Sequence, residues 1–192
     1  MKAALLGVDD AGSKWTAMQS QAFTSRTGIP TLDPGIWCPA AADSMAGLGA
    51  LAGSSGAIVG LRGVGLAQGT SHQITEQVFT GSNAREFVAL VTSGFETCGG
   101  TPWTNANGHV VRIDPLVGTV AGDESAAATS MIVTQEAGSD FAYRTRMLVA
   151  RFGDKVMVLQ EVDVQTAGSV PLMMGDEWNS LVAAATSKID AL

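Results

Sequence analysis

The sequence is short of cations, imidazoles, thiols and long apolar runs. Its 11 Lys and Arg face 18 Asp and Glu, a formal net charge of -7. A surface of that sign repels phosphate backbones and anionic headgroups, which argues against nucleic-acid binding and against electrostatic docking on lipid. No stretch approaches the 18 or so apolar residues that a membrane-spanning helix needs. Met1 to Gly7 is too short for the apolar core of a secretory signal, which leaves either a cytosolic protein or a chain that begins after a removed signal or anchor; the two cysteines favour the second. Membrane association is expected only through such an anchor.

The two histidines, His72 and His109, are far apart and have no second His or Cys at ligand spacing. No metal site and no cofactor are expected, because a metal normally takes three or four protein ligands. Both are read as solvent-facing strand residues. No Gly-x-Ser-x-Gly elbow is present, and Gly60, Gly63, Gly65 and Gly69 do not make a dinucleotide fingerprint. Catalytic residues are therefore assigned to none, with a hydrolase built on an unrecognised triad kept as the rival reading. Asp9-Asp10 and Asp123-Glu124 read as solvated loop charges.

What is present is a core. Apolar residues make up 46% of the chain and charged ones 15%, so 192 residues suit one packed domain, 1–192. The most secure element is a helix whose apolar positions Ala84, Phe87, Val88, Val91, Phe95 and Cys98 recur at helical spacing, stopped by Gly99. Strands are expected over 57–67, 71–80, 109–113, 126–136, 141–151 and 155–164. The last of these carries the alternating run Val156, Val158, Gln160, Val162, Val164, and Gly153-Asp154 marks a tight hairpin before it. Asp114-Pro115 should end the strand from His109. A C-terminal helix starts near Asp176 with Trp178, Leu181, Val182, Ala185, Ile189 and Leu192 inward. Residues 24–36 and 165–175 read as turns and loop, and 39–56 as a short helix or a loop. The order implies an α+β fold: an antiparallel sheet with helices packed mainly on one face and a possible central cleft.

Cys38 and Cys98 are the only thiols. The reading is that they are joined, closing a loop of about 60 residues and stabilising the fold by roughly 4 kcal/mol. Such a bond persists outside the reducing cytoplasm. Two separate buried thiols are the alternative.

The run Ala84-Arg85-Glu86-Phe87 through Phe95-Glu96-Thr97-Cys98, followed by the hairpin within Arg144 to Asp163 and the helix Glu177 to Leu192, resembles the PknH-like extracellular sensor domains of actinobacteria. The resemblance covers about residues 30 to 192, by layout more than by identity. It implies that Cys98 pairs with the earlier Cys38. It also implies a non-enzymatic sensor or lipoprotein domain in the cell envelope, tethered by lipid or a membrane segment. Many members carry a second disulfide across the final hairpin; here Tyr143 and Gln160-Glu161 stand in that region, which points to a stand-alone lipoprotein or secreted relative. Trp37, Trp103, Met173 and Met174 are the expected walls of a cleft for a small or lipid-like ligand or a cell-wall fragment, since Trp and Met make adaptable apolar surfaces. An envelope protein docked on an apolar patch is the other partner considered.

Overall fold

The computed structural model describes residues 5–18, 21–23, 36–48, 55–64, 71–118, 120–136, 139–165, 172–173 and 175–191. Met174, Leu192, Gly65, Gly69 and most of the two loops expected over 24–36 and 165–175 lie outside the described residues. Helices are α1 (Val8–Ala11), α2 (Pro39–Met45), α3 (Ala84–Cys98) and α4 (Gly175–Asp190). Strands are β1 (Trp15–Ala17), β2 (Gln21–Phe23), β3 (Ser55–Gly63), β4 (Ser71–Thr80), β5 (Trp103–Thr104), β6 (Val110–Pro115), β7 (Glu124–Glu136), β8 (Ser139–Phe152) and β9 (Lys155–Gln165).

All named strand pairs are antiparallel, in the order β1-β3-β4-β9-β8-β7-β6-β5, with β2 also paired to β3. The β8–β9 hairpin turns at Gly153, whose φ of 63° lies in the left-handed region that glycine enters without a Cβ clash. β6 runs through Asp114 and Pro115 instead of ending there. Pro115 still sits across from Ala128, and the Leu116 N–H donates to the Ala127 carbonyl just beyond it.

The α+β class and the antiparallel sheet match the sequence reading, but the helices do not lie mainly on one face. Adjacent residues of β8 and β9 are apolar on both sides, and each side is covered. Met147, Val149 and Val156 pack with α2 and α3, whereas Leu148, Ala150, Met157 and Leu159 pack with α4 and the N-terminal segment. A strand that is apolar on both faces needs a helix layer on each.

The α2–α3 layer is fastened by Cys38 and Cys98, whose Cα atoms are 5.4 Å apart. Cys38 caps the start of α2, with Pro39 at its first position, and Cys98 ends α3. Between them Trp37 packs on Phe95, ring centroids 5.5 Å apart. Gly94 makes the close approach possible: a Cβ there would lie 2.6 Å from Trp37 Cζ3 and 2.8 Å from Met45 Sδ. The glycine in the middle of α3 is a packing requirement that outweighs its poor helix propensity.

Candidate functional site

The face beneath α1 and α4 buries charge. Residues two apart on a strand share a face, so His72 and Glu76 of β4, Arg146 of β8, and Glu161 and Asp163 of β9 lie together on it. The register sets Arg146 across from Glu161, and Asp163 across from His72. His72 is 7% exposed, and Glu76, Glu161 and Asp163 are 0% exposed. Both readings of these strands from sequence are corrected here. His72 is not solvent-facing, and the β9 side that is fully buried bears Glu161 and Asp163, opposite the Val158 and Val162 side. His109 is half-buried in the turn before β6, not in a strand.

Buried charges cost several kcal/mol each unless they are paired and hydrogen-bonded. Glu161 Oε1 accepts the Met173 N–H at 2.6 Å and lies 2.7 Å from His72 Nε2. Arg146 Nη1 is 3.8 Å from Glu161 Oε2 and donates to the Met173 carbonyl at 3.1 Å. Its guanidinium also lies 5.3 Å from the centroid of Trp178. Met173 is thus gripped by both its amide and its carbonyl.

A second group ties down the N-terminal segment. Glu76 Oε2 accepts the Leu6 N–H at 2.6 Å. Burial pushes Glu76 up to about 7; the Leu6 amide and the Lys188 charge pull the other way, and the Asp10 charge adds to the rise. Lys188 of α4 donates to the Leu5 carbonyl at 3.2 Å and to Asp10 Oδ2, which also accepts the Gly7 N–H at 2.6 Å. Burial raises Asp10, but the Lys188 hydrogen bond, the Gly7 amide and the Lys188 charge outweigh it and hold the carboxyl below its usual range. Asp10 is therefore no solvated loop charge. Asp123 is an exposed loop charge that pairs with Arg151, whereas Glu124 is half-buried at the start of β7 and pairs with Arg151 as well.

Between this segment and α4 opens a cavity of about 540 Å³. Its buried lining includes Trp15, His72, Met173 and Leu181, with Trp15 edge-on to His72 at 4.7 Å between centroids. Exposed Asp9, Lys14 and Glu177 stand at its mouth, Lys14 Nζ being 3.7 Å from Glu177. The volume falls in the range of small-molecule sites.

Of the residues singled out from sequence, Met173 lines this cavity. Trp37 is buried against α3 in the other layer, and Trp103 packs half-buried on that same core. The structure does not bring these two together with Met173. The signal for Trp15 and His72 was weak: each is a single residue in a short or mixed segment, and the segment that completes the wall is distant in sequence.

His72 and Glu161 reproduce the base and its orienting carboxylate in a hydrolytic triad. Ser180, which also lines the cavity, donates its hydroxyl to the Asp176 carbonyl at 2.9 Å. Among the described residues no serine hydroxyl is hydrogen-bonded to His72. No group of three or more metal-ligating side chains is found among them either, and no described helix is long and apolar enough to cross a membrane.

No protein-family model and no curated protein matches the sequence. Solved structures do. The extracellular domain of PknH from Mycobacterium tuberculosis superposes with a TM-score of 0.59 over 99% of this chain and 94% of that one, at 12% identity. The chain has the fold of the PknH extracellular domain. An uncharacterised protein from Mycobacterium smegmatis superposes with a TM-score of 0.50, covering 95% of this chain and 93% of its own, at 10% identity. The PknH-type resemblance read from the α3 segment, the final hairpin and the C-terminal helix is thus realised in three dimensions, as is the single bond between Cys38 and Cys98.

Proposed function

We propose that this chain is a single extracytoplasmic sensor or binding domain, without catalysis, that holds a small or lipid-like ligand in the cavity between its N-terminal segment and α4. The observation that carries the reading is that cavity: buried Trp15, His72, Met173 and Leu181 below a charged mouth. Met173 in its wall is held by Glu161 and Arg146, and the N-terminal segment beside it by Glu76 and Lys188. The disulfide supports a location outside the reducing cytoplasm. The extracellular origin of the PknH structure supports the same location. Tethering to the envelope, by lipid or by a membrane segment, belongs to this proposal.

The test is to expose the protein to a small-molecule extract of an actinobacterial envelope, repurify it, and identify what it retains by mass spectrometry. Ser180→Trp places an indole at the cavity in an exposed helical position and should fold normally. The expected result is a compound retained by the natural chain and lost from Ser180→Trp. An identical profile for the two proteins would contradict binding in this cavity.

A further inference from the structure

The charges around the cavity select among ligands, and this inference rests on the cavity being the binding site. Its lining holds three carboxylates, Asp9, Asp10 and Glu177, against one ammonium, Lys14. Two of the carboxylates are engaged: Asp10 with Lys188, and Glu177 with Lys14. Asp9 has no cationic partner among the described residues, and it is exposed at the start of α1. Among the described residues Lys14 is the lining's one ammonium, and Glu177 stands 3.7 Å from it.

In the buried wall His72 Nε2 lies 2.7 Å from Glu161 Oε1. Below lie Trp15 and Leu181, apolar surface with an aromatic ring, which suits both a hydrocarbon body and a nearby cation. The field of the whole chain, at -7, draws cations toward it and repels anions.

We propose that the cavity takes an amphiphile with a protonated amine: the apolar body against Trp15, Met173 and Leu181, and the ammonium at the mouth beside Asp9. An ammonium is a donor only, and Asp9, the carboxylate left to meet it, is an acceptor. Fatty-acid and phosphate-headed lipids, which share the apolar body, are rejected by charge.

The experiment is a calorimetric titration of the full chain at low ionic strength with three probes of one chain length: octylammonium, octanol and octanoate. The expected order is octylammonium, then octanol, then octanoate, with the first and last separated by about tenfold or more, since one carboxylate within a few ångströms of the headgroup contributes on the order of 1 kcal/mol. Asp9→Asn, at an exposed position, should bring octylammonium down toward octanol and leave octanol unchanged. Raising the salt should do the same to the natural chain. Octanoate binding as tightly as octylammonium, or an Asp9→Asn variant with the preference intact, would overturn the charge selection while leaving the cavity as the site. Binding of none of the three would overturn the cavity reading itself, and the selection with it.

Discussion

Replacing both Cys38 and Cys98 by alanine should destabilise the fold by about 4 kcal/mol. The bond closes a span of 60 residues, and most of its effect is the chain entropy it removes from the unfolded state. For a chain of this size each kcal/mol corresponds to about 2–4 °C, so the melting temperature should fall by roughly 8–16 °C in scanning calorimetry. The loss should be felt first in the α2–α3 layer. Cys38 and Cys98 are buried there beside Trp37 and Phe95, and α2 makes its main contact with α3. A double variant that melts with the natural chain would mean that packing alone holds α2 in place.

Glu76→Gln should raise stability at neutral pH by about 3 kcal/mol, and the gain should vanish in acid. In the folded chain Glu76 keeps its proton up to a pH of about 7, whereas unfolded it releases the proton near 4.5. Between those values the folded state binds the extra proton, so stability falls as pH rises through the window. The rise of about 2.5 pKa values corresponds to roughly 3 kcal/mol for a fully buried group. Glutamine keeps an acceptor for the Leu6 N–H and carries no charge to desolvate. Asp10 acts in the opposite sense and in a lower range: its depressed value stabilises the fold above the ordinary carboxylate range, and that contribution is lost as pH falls through its folded value. The two effects therefore separate in urea titrations run from pH 3 to 8. Parallel curves for the natural chain and Glu76→Gln would show that Glu76 stays ionised in the fold.

Much of the architecture could be read from local pattern. β4 and α3 begin and end where the apolar spacing and Gly99 place them, and the Gly153-Asp154 turn fixes the β8–β9 register. Three short strands escaped. β1, β2 and β5 have two or three residues each, too few for alternation to register, and they exist because β3 and β6 offer edges to pair with. The two-sided burial of β8 and β9 also escaped, because Glu161 and Asp163 make the fully buried side of β9 look polar. Only tertiary partners, the His72 imidazole, Arg146 and the Met173 amide, make Glu161 acceptable inside. The site was hidden for the same reason. The conspicuous tryptophans of the sequence flank the disulfide and fill the opposite layer, while the cavity is assembled from Asp9, Trp15, His72 and Met173, contributed by three distant parts of the chain.

The central claim is that the ligand cavity lies on the α1–α4 face. The chain has four tryptophans, Trp15, Trp37, Trp103 and Trp178, and so four indole N–H resonances in a nitrogen–proton NMR spectrum. Titration with octanol, a neutral probe whose binding does not depend on the charge selection, reads all four at once. The account predicts that the Trp15 resonance moves and those of Trp37 and Trp103 stay fixed. Movement of Trp37 and Trp103 with Trp15 unchanged would put the cleft on the disulfide side of the sheet and contradict it.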